Sequence, residues 1–312
     1  MTETIRVDSD KSWIMLREKL DRNTPSGSGS HPTPITGTLF HRFVSDADPK
    51  PNFYQPVIIV VAQGKKLARI GAEEYRYGEN ACFVAGVDMP VTSCVMEASE
   101  EKPYLSMSLN LDTGLVADLA SKVPPQAYGD NAPRGAAILD VTPDLLDAFL
   151  RLVELAEKPE QVPVMEEIIL REIHYRLLLG PFGGVLRTLN TFGSQGNQIT
   201  RAISWLKENY KESLHVEDLA GRSNMALSTF HKHFKEITTL SPLQYQKRLR
   251  LAEAQRLMLS GGCDVTQAAF AVGYESATQF IREYKRLFGE PPRRNVMNIR
   301  DTASGRRGWA AA

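Results

Sequence analysis

Residues 230–242, FHKHFKEITTLSP, return fifty positions later as FIREYKRLFGEPP, residues 280–292. Phe230 answers to Phe280, Lys232 to Arg282, Phe234 to Tyr284, Lys235 to Lys285 and Pro242 to Pro292. Wound as a helix, the first copy puts Phe230, Phe234 and Ile237 on one stripe and Ser228, His231, Lys232 and Lys235 on the opposite face. The second copy sends Phe280, Tyr284 and Leu287 inward and Thr278, Arg282 and Lys285 outward. The chain therefore has to build one amphipathic, basic helix twice at a set spacing.

Each copy follows a short helix of small apolar residues. In HVEDLAGRSNMALSTF, Val216, Leu219 and Ala220 face inward; in DVTQAAFAVGYESATQF, Val265, Ala268 and Ala269 do. The turn between carries Gly273 in the second pair and Gly221-Arg222-Ser223-Asn224 in the first. Two helices crossing over a short turn, the second basic on its outer side, form a helix-turn-helix pattern whose second helix can enter a major groove. Between the copies, SPLQYQKRLRLAEAQRLML starts at a Ser241 cap with Pro242 in the first turn and contains no breaker. It reads as one long helix that spaces the two units.

The total charge says less. Lys+Arg and Asp+Glu both number 37. Residues 195–312 hold 18 basic against 11 acidic side chains, leaving 19 against 26 in residues 1–194. A basic half joined to an acidic half suits a polyanion partner for the basic half alone. A single amphipathic basic helix is equally well a solvated one. Two copies, each with its preceding helix and following proline, are harder to explain that way.

The stretch from about 197 to 300 closely resembles the AraC/XylS-type DNA-binding domain. The residues that carry the likeness are LSTFHKHFKEITTLSPLQYQKRLRLAEAQRLML and VTQAAFAVGYESATQFIREYKRLFGEPPRR, above all GYES followed by FIREYKRLFG and a proline. One departure is Leu240, which stands where the family's first repeat often has glycine before Ser-Pro. The resemblance implies two helix-turn-helix units facing successive major grooves of double-stranded DNA. Carried over by position, Ser228, His231 and Lys232 from the first unit and Thr278, Gln279 and Arg282 from the second would meet bases. Gln198, Arg201, Lys235 and Lys285 are better placed for phosphates, which set position rather than sequence.

The first half has another character. SWIMLREKL, residues 12–20, reads as a helix, and TPSGSGSHPTP, residues 24–34, as a loop. PVIIVVAQGKKLARIG is rich in β-branched residues and breaks at Gly64 and Gly71. YLSMSLNLD alternates Leu105, Met107, Leu109 and Leu111 on one face with Ser106, Ser108 and Asn110 on the other. Thr142 caps a helix with Pro143 in its first turn and a stripe of Leu145, Leu146, Phe149, Leu152 and Val153. A second helix, from Pro163, ends at Gly180. Residues 35–180 are similar to the cupin-type N-terminal domain of one branch of AraC-type regulators, through QG.K and the alternating leucines. That resemblance implies a sensing and dimerising domain, with a small-molecule effector and a homodimer as partners. The helices at 142–155 and 163–179 are candidates for covering the barrel or for pairing two chains. An activator would also meet RNA polymerase.

Little points to catalysis. A cupin metal site needs converging ligands, and residues 35–111 hold one histidine, His41. The one H-x-H is His231/His233, on the basic helix. No phosphate loop, dinucleotide fingerprint or G-x-S-x-G occurs. No metal or other cofactor is expected. A cupin-type enzyme with a helical interaction domain is the alternative, and basic helices that bind a protein are another. Cys82 and Cys94 read either as buried strand residues or as an oxidant-sensing pair. Three widely spaced cysteines, no leader-like N-terminus and no apolar run near the ~20 residues that span a bilayer suit a cytoplasmic protein. A barrel interior can hold a small ligand, and Tyr54, Gln63, Lys66, Tyr75 and Met107 are the lining candidates.

The expected fold class is α+β: a cupin-like β-barrel with flanking helices, then an all-α domain of two helix-turn-helix units joined by a long helix. The expected divisions are a helix and loop over 1–34, the effector and dimerisation domain over 35–180, a linker over 181–197, the DNA-binding domain over 198–300 and a tail over 301–312.

Overall fold

The computed structural model describes residues 2–47, 49–124 and 134–303. Helix α1 (Thr2–Arg22) leads into ten strands: β1 (Gly29–Pro32), β2 (Thr38–Phe43), β3 (Lys50–Tyr54), β4 (Val57–Gln63), β5 (Lys65–Ile70), β6 (Glu73–Gly78), β7 (Ala81–Ala85), β8 (Met89–Met96), β9 (Tyr104–Asn110) and, beyond α2 (Thr113–Lys122), β10 (Ala136–Asp140). Then come α3 (Pro143–Ala156), α4 (Val162–Leu179), α5 (Gly183–Asn190), α6 (Gln195–Glu208), α7 (Val216–Arg222), α8 (Leu227–Thr238), α9 (Pro242–Leu259), α10 (Val265–Ala271), α11 (Ala277–Phe288) and α12 (Pro292–Ala303). The fold is α+β, as expected.

The strands form two stacked antiparallel sheets rather than a closed barrel. One has the order β1-β2-β9-β4-β7-β10 and the other β3-β8-β5-β6. The chain changes sheets at turns instead of extending one ladder: between β6 and β7, Asn80 takes a left-handed φ of 71° and the strand direction switches. The period-2 alternation divides the larger sheet's faces. Phe40, Ile58, Val60, Leu105, Met107 and Leu109 pack with α1, α3 and α4, while Ile59, Val61, Phe83 and Tyr104 face the smaller sheet.

Helix α3 matches its expected cap: the Thr142 hydroxyl accepts from Leu145 N, Pro143 opens the helix, and the whole apolar stripe is buried. Three local expectations change. The segment read as a loop contains β1, which runs antiparallel along β2 at the sheet edge, where Pro32 costs no ladder bond. The helix expected over 12–20 is longer. The segment 181–197 is largely helical, with Leu186 and Leu189 of α5 fully buried. The segment reads as a linker, yet a Cβ on Gly183 would lie 2.0 Å from Leu178 O. That glycine is a close-packing residue. Of the expected tail, residues 304–312 lie outside the described residues.

The helical units do not share one core. The first (α6, α7, α8 and the start of α9) is continuous with the core between the two sheets, through Ile203, Leu219, Phe230, Phe234, Ile237 and Tyr245. The second (the rest of α9, α10, α11 and α12) has its own, built on Ala254, Met258, Ala268, Phe280 and Tyr284. Where the first unit meets the smaller sheet, Gly71 (φ 61°) lies against Thr239 (φ 63°), and a Cβ on Gly71 would come 2.3 Å from Thr239 Oγ1. A methyl there collides and takes a backbone conformation that L residues resist. Gly71→Ala is expected to cost about 2 kcal/mol of stability in urea unfolding. Combining it with Thr239→Gly should recover part of that loss.

Candidate nucleic-acid interface and interior site

Both repeated helices keep the expected division of faces. Phe230, Phe234 and Ile237 of α8 are buried, while Ser228, His231, Lys232 and Lys235 are exposed. On α11, Phe280 and Tyr284 are buried, Leu287 is half-buried, and Thr278, Gln279, Arg282 and Lys285 are exposed. Arg201 is exposed beside the exposed Phe192 ring, 5.9 Å from its centroid, and Gln198 is half-buried in the cleft they share with Trp205 and Arg222. Two outward groups have acidic neighbours on their own helices: Lys232 lies 4.0 Å from Glu236, and Gln279 Nε2 donates to Glu283 at 3.4 Å.

The turn geometry explains which residues the repeat preserves. In the first turn the left-handed residue is Asn224 (φ 50°) and in the second Gly273 (φ 86°). Met225 N bonds Ala220 O just as Tyr274 N bonds Ala269 O. Gly221, expected to contribute to the first turn, lies within α7 at a negative φ. The offset is thus 49 at the turns and 50 along α8 and α11, so the second turn has one extra residue before its helix. That extra room places Ser276 at the N-cap of α11, where its hydroxyl accepts from Gln279 N. The C-termini of α8 and α11 end on left-handed residues too, Thr239 and Gly289. This corrects the place of the departure: Thr239, not Leu240, stands where the second copy has glycine. Leu240 is a buried core residue.

Helix α9 sets the distance between the units, spanning roughly 27 Å over its 18 residues. It begins with a capping box at Ser241 and Gln244. Arg250 sets the angle. Its guanidinium donates to Tyr210 O at 2.6 Å, Lys211 O at 3.0 Å, Glu212 O at 2.9 Å and Gly273 O at 2.9 Å. The carbonyls belong to the loop ahead of α7 and to the turn of the second unit. Gly273 is required there, since a Cβ would lie 2.2 Å from Lys211 O.

The interior candidates separate. Lys66 and Tyr54 converge between the sheets, with Lys66 Nζ 5.6 Å from the Tyr54 ring centroid. Gln63 is engaged elsewhere: its amide donates to Pro103 O at 2.7 Å. Next to it, Gly64 (φ 82°) lets the chain cross Tyr104, where a Cβ would sit 3.2 Å from Tyr104 Cα. The QG.K motif thus pins the start of β9 and aims Lys66 inward. Tyr75 reaches Ala136 O at 3.5 Å. Met107 does not join them. It lies on the opposite face of β9, packed among the helices, because the odd-numbered residues there face α1 and α3. The even-numbered face does line the interior: Tyr104 and Ser106, with Ser108 bonded to His41 Nε2 at 2.7 Å. Tyr77, directly opposite Lys66 across the β5–β6 hairpin, faces the same space. The serine alternation and the hairpin register around Gly71 were the signals for these missed residues.

Cys82 is fully buried, and burial together with Asp140 pushes its thiol up to about 12, far from the reactive thiolate. His233, of the H-x-H, contacts Glu236 at 3.0 Å. Among the described residues, no three His, Cys, Asp or Glu side chains group as metal ligands. No described helix is long and apolar enough to cross a membrane.

Removing the Arg250 side chain leaves three loop carbonyls and the Gly273 carbonyl without their charged donor. Arg250→Ala is expected to lower stability by about 2–4 kcal/mol, and Arg250→Lys to restore only part, since an ammonium cannot fork to four acceptors. Denaturant unfolding of the full chain checks both.

Residues 34–185 match the family described as AraC-type transcriptional regulator N-terminus, and residues 219–295 match a helix-turn-helix domain. The transcriptional activator RhaS of Pectobacterium carotovorum is 31% identical over 101 residues, covering 32% of this chain and 36% of that protein. RhaS of Yersinia pestis is 29% identical over 148 residues, covering 47% and 53%. The chain thus aligns with about half or less of the length of these relatives. Among solved structures, an apo single-substitution variant of ToxT from Vibrio cholerae superposes with a TM-score of 0.55 at 13% identity, covering 84% of this chain and 97% of ToxT. Wild-type ToxT bound to an unsaturated fatty acid gives 0.53 at 13% identity, with 84% and 95% covered. At such identity the likeness is one of fold.

Proposed function

We propose that this chain, an AraC-type regulator by family, binds a specific duplex DNA sequence and controls transcription in response to a small molecule held by its N-terminal domain. The observation that carries the reading is the pair of matched outward faces, Ser228, His231 and Lys232 on α8 and Thr278, Gln279 and Arg282 on α11. Their spacing and angle are held by α9 and Arg250. Such side chains can hydrogen-bond base edges in successive major grooves. Gln198, Arg201, Lys235 and Lys285 contact phosphates in this reading.

A small-molecule effector is supported by the two stacked sheets, which have the fold of a protein solved with a bound fatty acid. Its occupancy reaches the DNA reader directly as well as through residues 181–197. Lys207 pairs with Asp88 at 2.6 Å, Tyr245 OH donates to Asp88 O at 2.9 Å, and Gly135 N donates to Ile237 O, at the end of α8, at 3.0 Å. Pairing of two chains is best supported on α4, where Val164, Ile168 and Tyr175 are exposed on one face; α3 is committed to its own core. The protein acts on DNA in the cytoplasm, and RNA polymerase is a further partner if it activates. Among the described residues, no cluster of metal-ligating side chains supports the enzymatic alternative.

Selection from random duplexes is expected to enrich two short blocks about one helical turn, roughly 10 bp, apart. On the selected site, Arg282→Ala should relax specificity at one position by about 1–3 kcal/mol, whereas Lys285→Ala should weaken all sequences alike and lower the salt slope by about one. Wild-type behaviour of both variants on every duplex overturns the groove assignment.

A further inference from the structure

Between the sheets lies a half-buried cation with no acid to balance it. Lys66 enters from β5, opposite Tyr77 of β6 and Val95 of β8. Three other partly buried cations have carboxylates: Lys207 pairs with Asp88, Arg151 with Glu172, and Arg176 with Glu172 and Asp144, while Arg250 is met by four backbone carbonyls. Lys66 pairs with no carboxylate among the described residues. Burial alone disfavours its ammonium, but the Tyr54 and Tyr104 oxygens and Cys94 outweigh that and hold it above its ordinary range. Around it, the hydroxyls of Tyr77, Tyr104 and Ser106 are buried and make no well-formed hydrogen bond, with Tyr104 near Ser106 and Tyr77 near Tyr54 as their polar neighbours. Tyr77 is 3%, Tyr104 0% and Ser106 1% exposed, so no bulk water satisfies them. Burial raises both phenols, which therefore stay protonated and able to donate. Buried donors without full acceptors and a half-buried charge without a counter-ion are each costly, and their clustering marks a site whose occupant supplies the missing acceptor.

We infer that this inter-sheet space binds a small organic monocarboxylate, with Lys66 as its counter-ion and the Tyr77, Tyr104 and Ser106 hydroxyls as donors. The inference deepens the effector reading above and rests on it for its regulatory meaning. Three hydroxyls and one ammonium match the two oxygens of a carboxylate. A second formal positive charge, which a phosphate dianion would favour, is missing: burial, with Lys66 and His31, drives the neighbouring His41 down to about 3, and its ring is held between Ser30 and Ser108. The walls call for an apolar body. Tyr77 stacks on Phe83 with centroids 5.1 Å apart, and Tyr54 and Tyr75 meet the same ring edge-on. The same aromatic walls belong to the core that the first helix-turn-helix unit shares.

The test is titration calorimetry and thermal melting of the full chain with hexanoate and benzoate, against their amides and inorganic phosphate. At least one carboxylate should bind and raise the melting temperature, while its amide and phosphate do not. Lys66→Met should weaken carboxylate binding roughly ten- to a hundredfold, yet melt no lower than wild type without ligand, because it removes an unbalanced charge. Tyr104→Phe, which keeps the ring, should weaken binding by a smaller factor and serves if Lys66→Met does not fold. Equal binding of the amide, binding of phosphate alone, unchanged affinity in both variants, or no carboxylate binding at millimolar concentration each overturns the site. Affinity for the selected duplex is measured in the same samples. Lys66-dependent carboxylate binding that leaves DNA affinity unchanged upholds the site and removes the effector role. A carboxylate that shifts DNA affinity equally in wild type and Lys66→Met upholds an effector and removes this site.

Discussion

A row of aromatic rings joins the sheet domain to the first repeated helix. Phe53 of β3 meets Tyr245 of α9 edge-on at 5.9 Å, Tyr245 meets Phe234 of α8 at 5.6 Å, and Phe234 meets Phe230 at 5.6 Å. Because interiors are close-packed, a ring cannot shift in such a row without moving its neighbours. The inward side of α8 is thereby part of the same core as the space between the sheets. Polar contacts seal the join where the chain leaves the core: Asp88 holds Lys207 with its carboxylate and Tyr245 with its carbonyl.

The second unit stands apart from that core. Its aromatic row, Tyr274, Phe280, Tyr284 and Phe288, is internal to it. What connects the two units is α9 and the fan of carbonyls around Arg250, a polar and directional joint. A hydrogen-bonded joint fixes angle, whereas apolar burial is non-directional. The two devices divide the work: apolar packing ties the first helical unit to the sheet domain, and Arg250 orients the second unit on the first.

The repeat, the faces of α8 and α11, the caps at Thr142 and Ser241 and the break at Gly64 were all legible, because each depends on residues within one or two turns of each other. Legibility failed where one signal had two causes. Gly183 and Gly184 lie in the segment read as a linker, but Gly183 is there for lack of a Cβ against Leu178 O. Thr239 carries a left-handed φ that threonine resists, so its correspondence with Gly289 is invisible in the letters. Met107 alternates correctly with its neighbours, but alternation does not say which face looks toward the other sheet.

The sequence alone determined that this chain carries two helix-turn-helix units at near-constant spacing behind an alternating strand-rich domain, since helix and strand periods are local properties. Only the tertiary structure decided that the strands stack as two sheets and that the first unit fuses with their core. It also decided that Lys66, Tyr77, Tyr104 and Ser106 share one space. Those residues come from β5, β6 and β9. Their meeting depends on strand order and on which face turns inward, and both are settled by long-range packing rather than by any neighbouring residue.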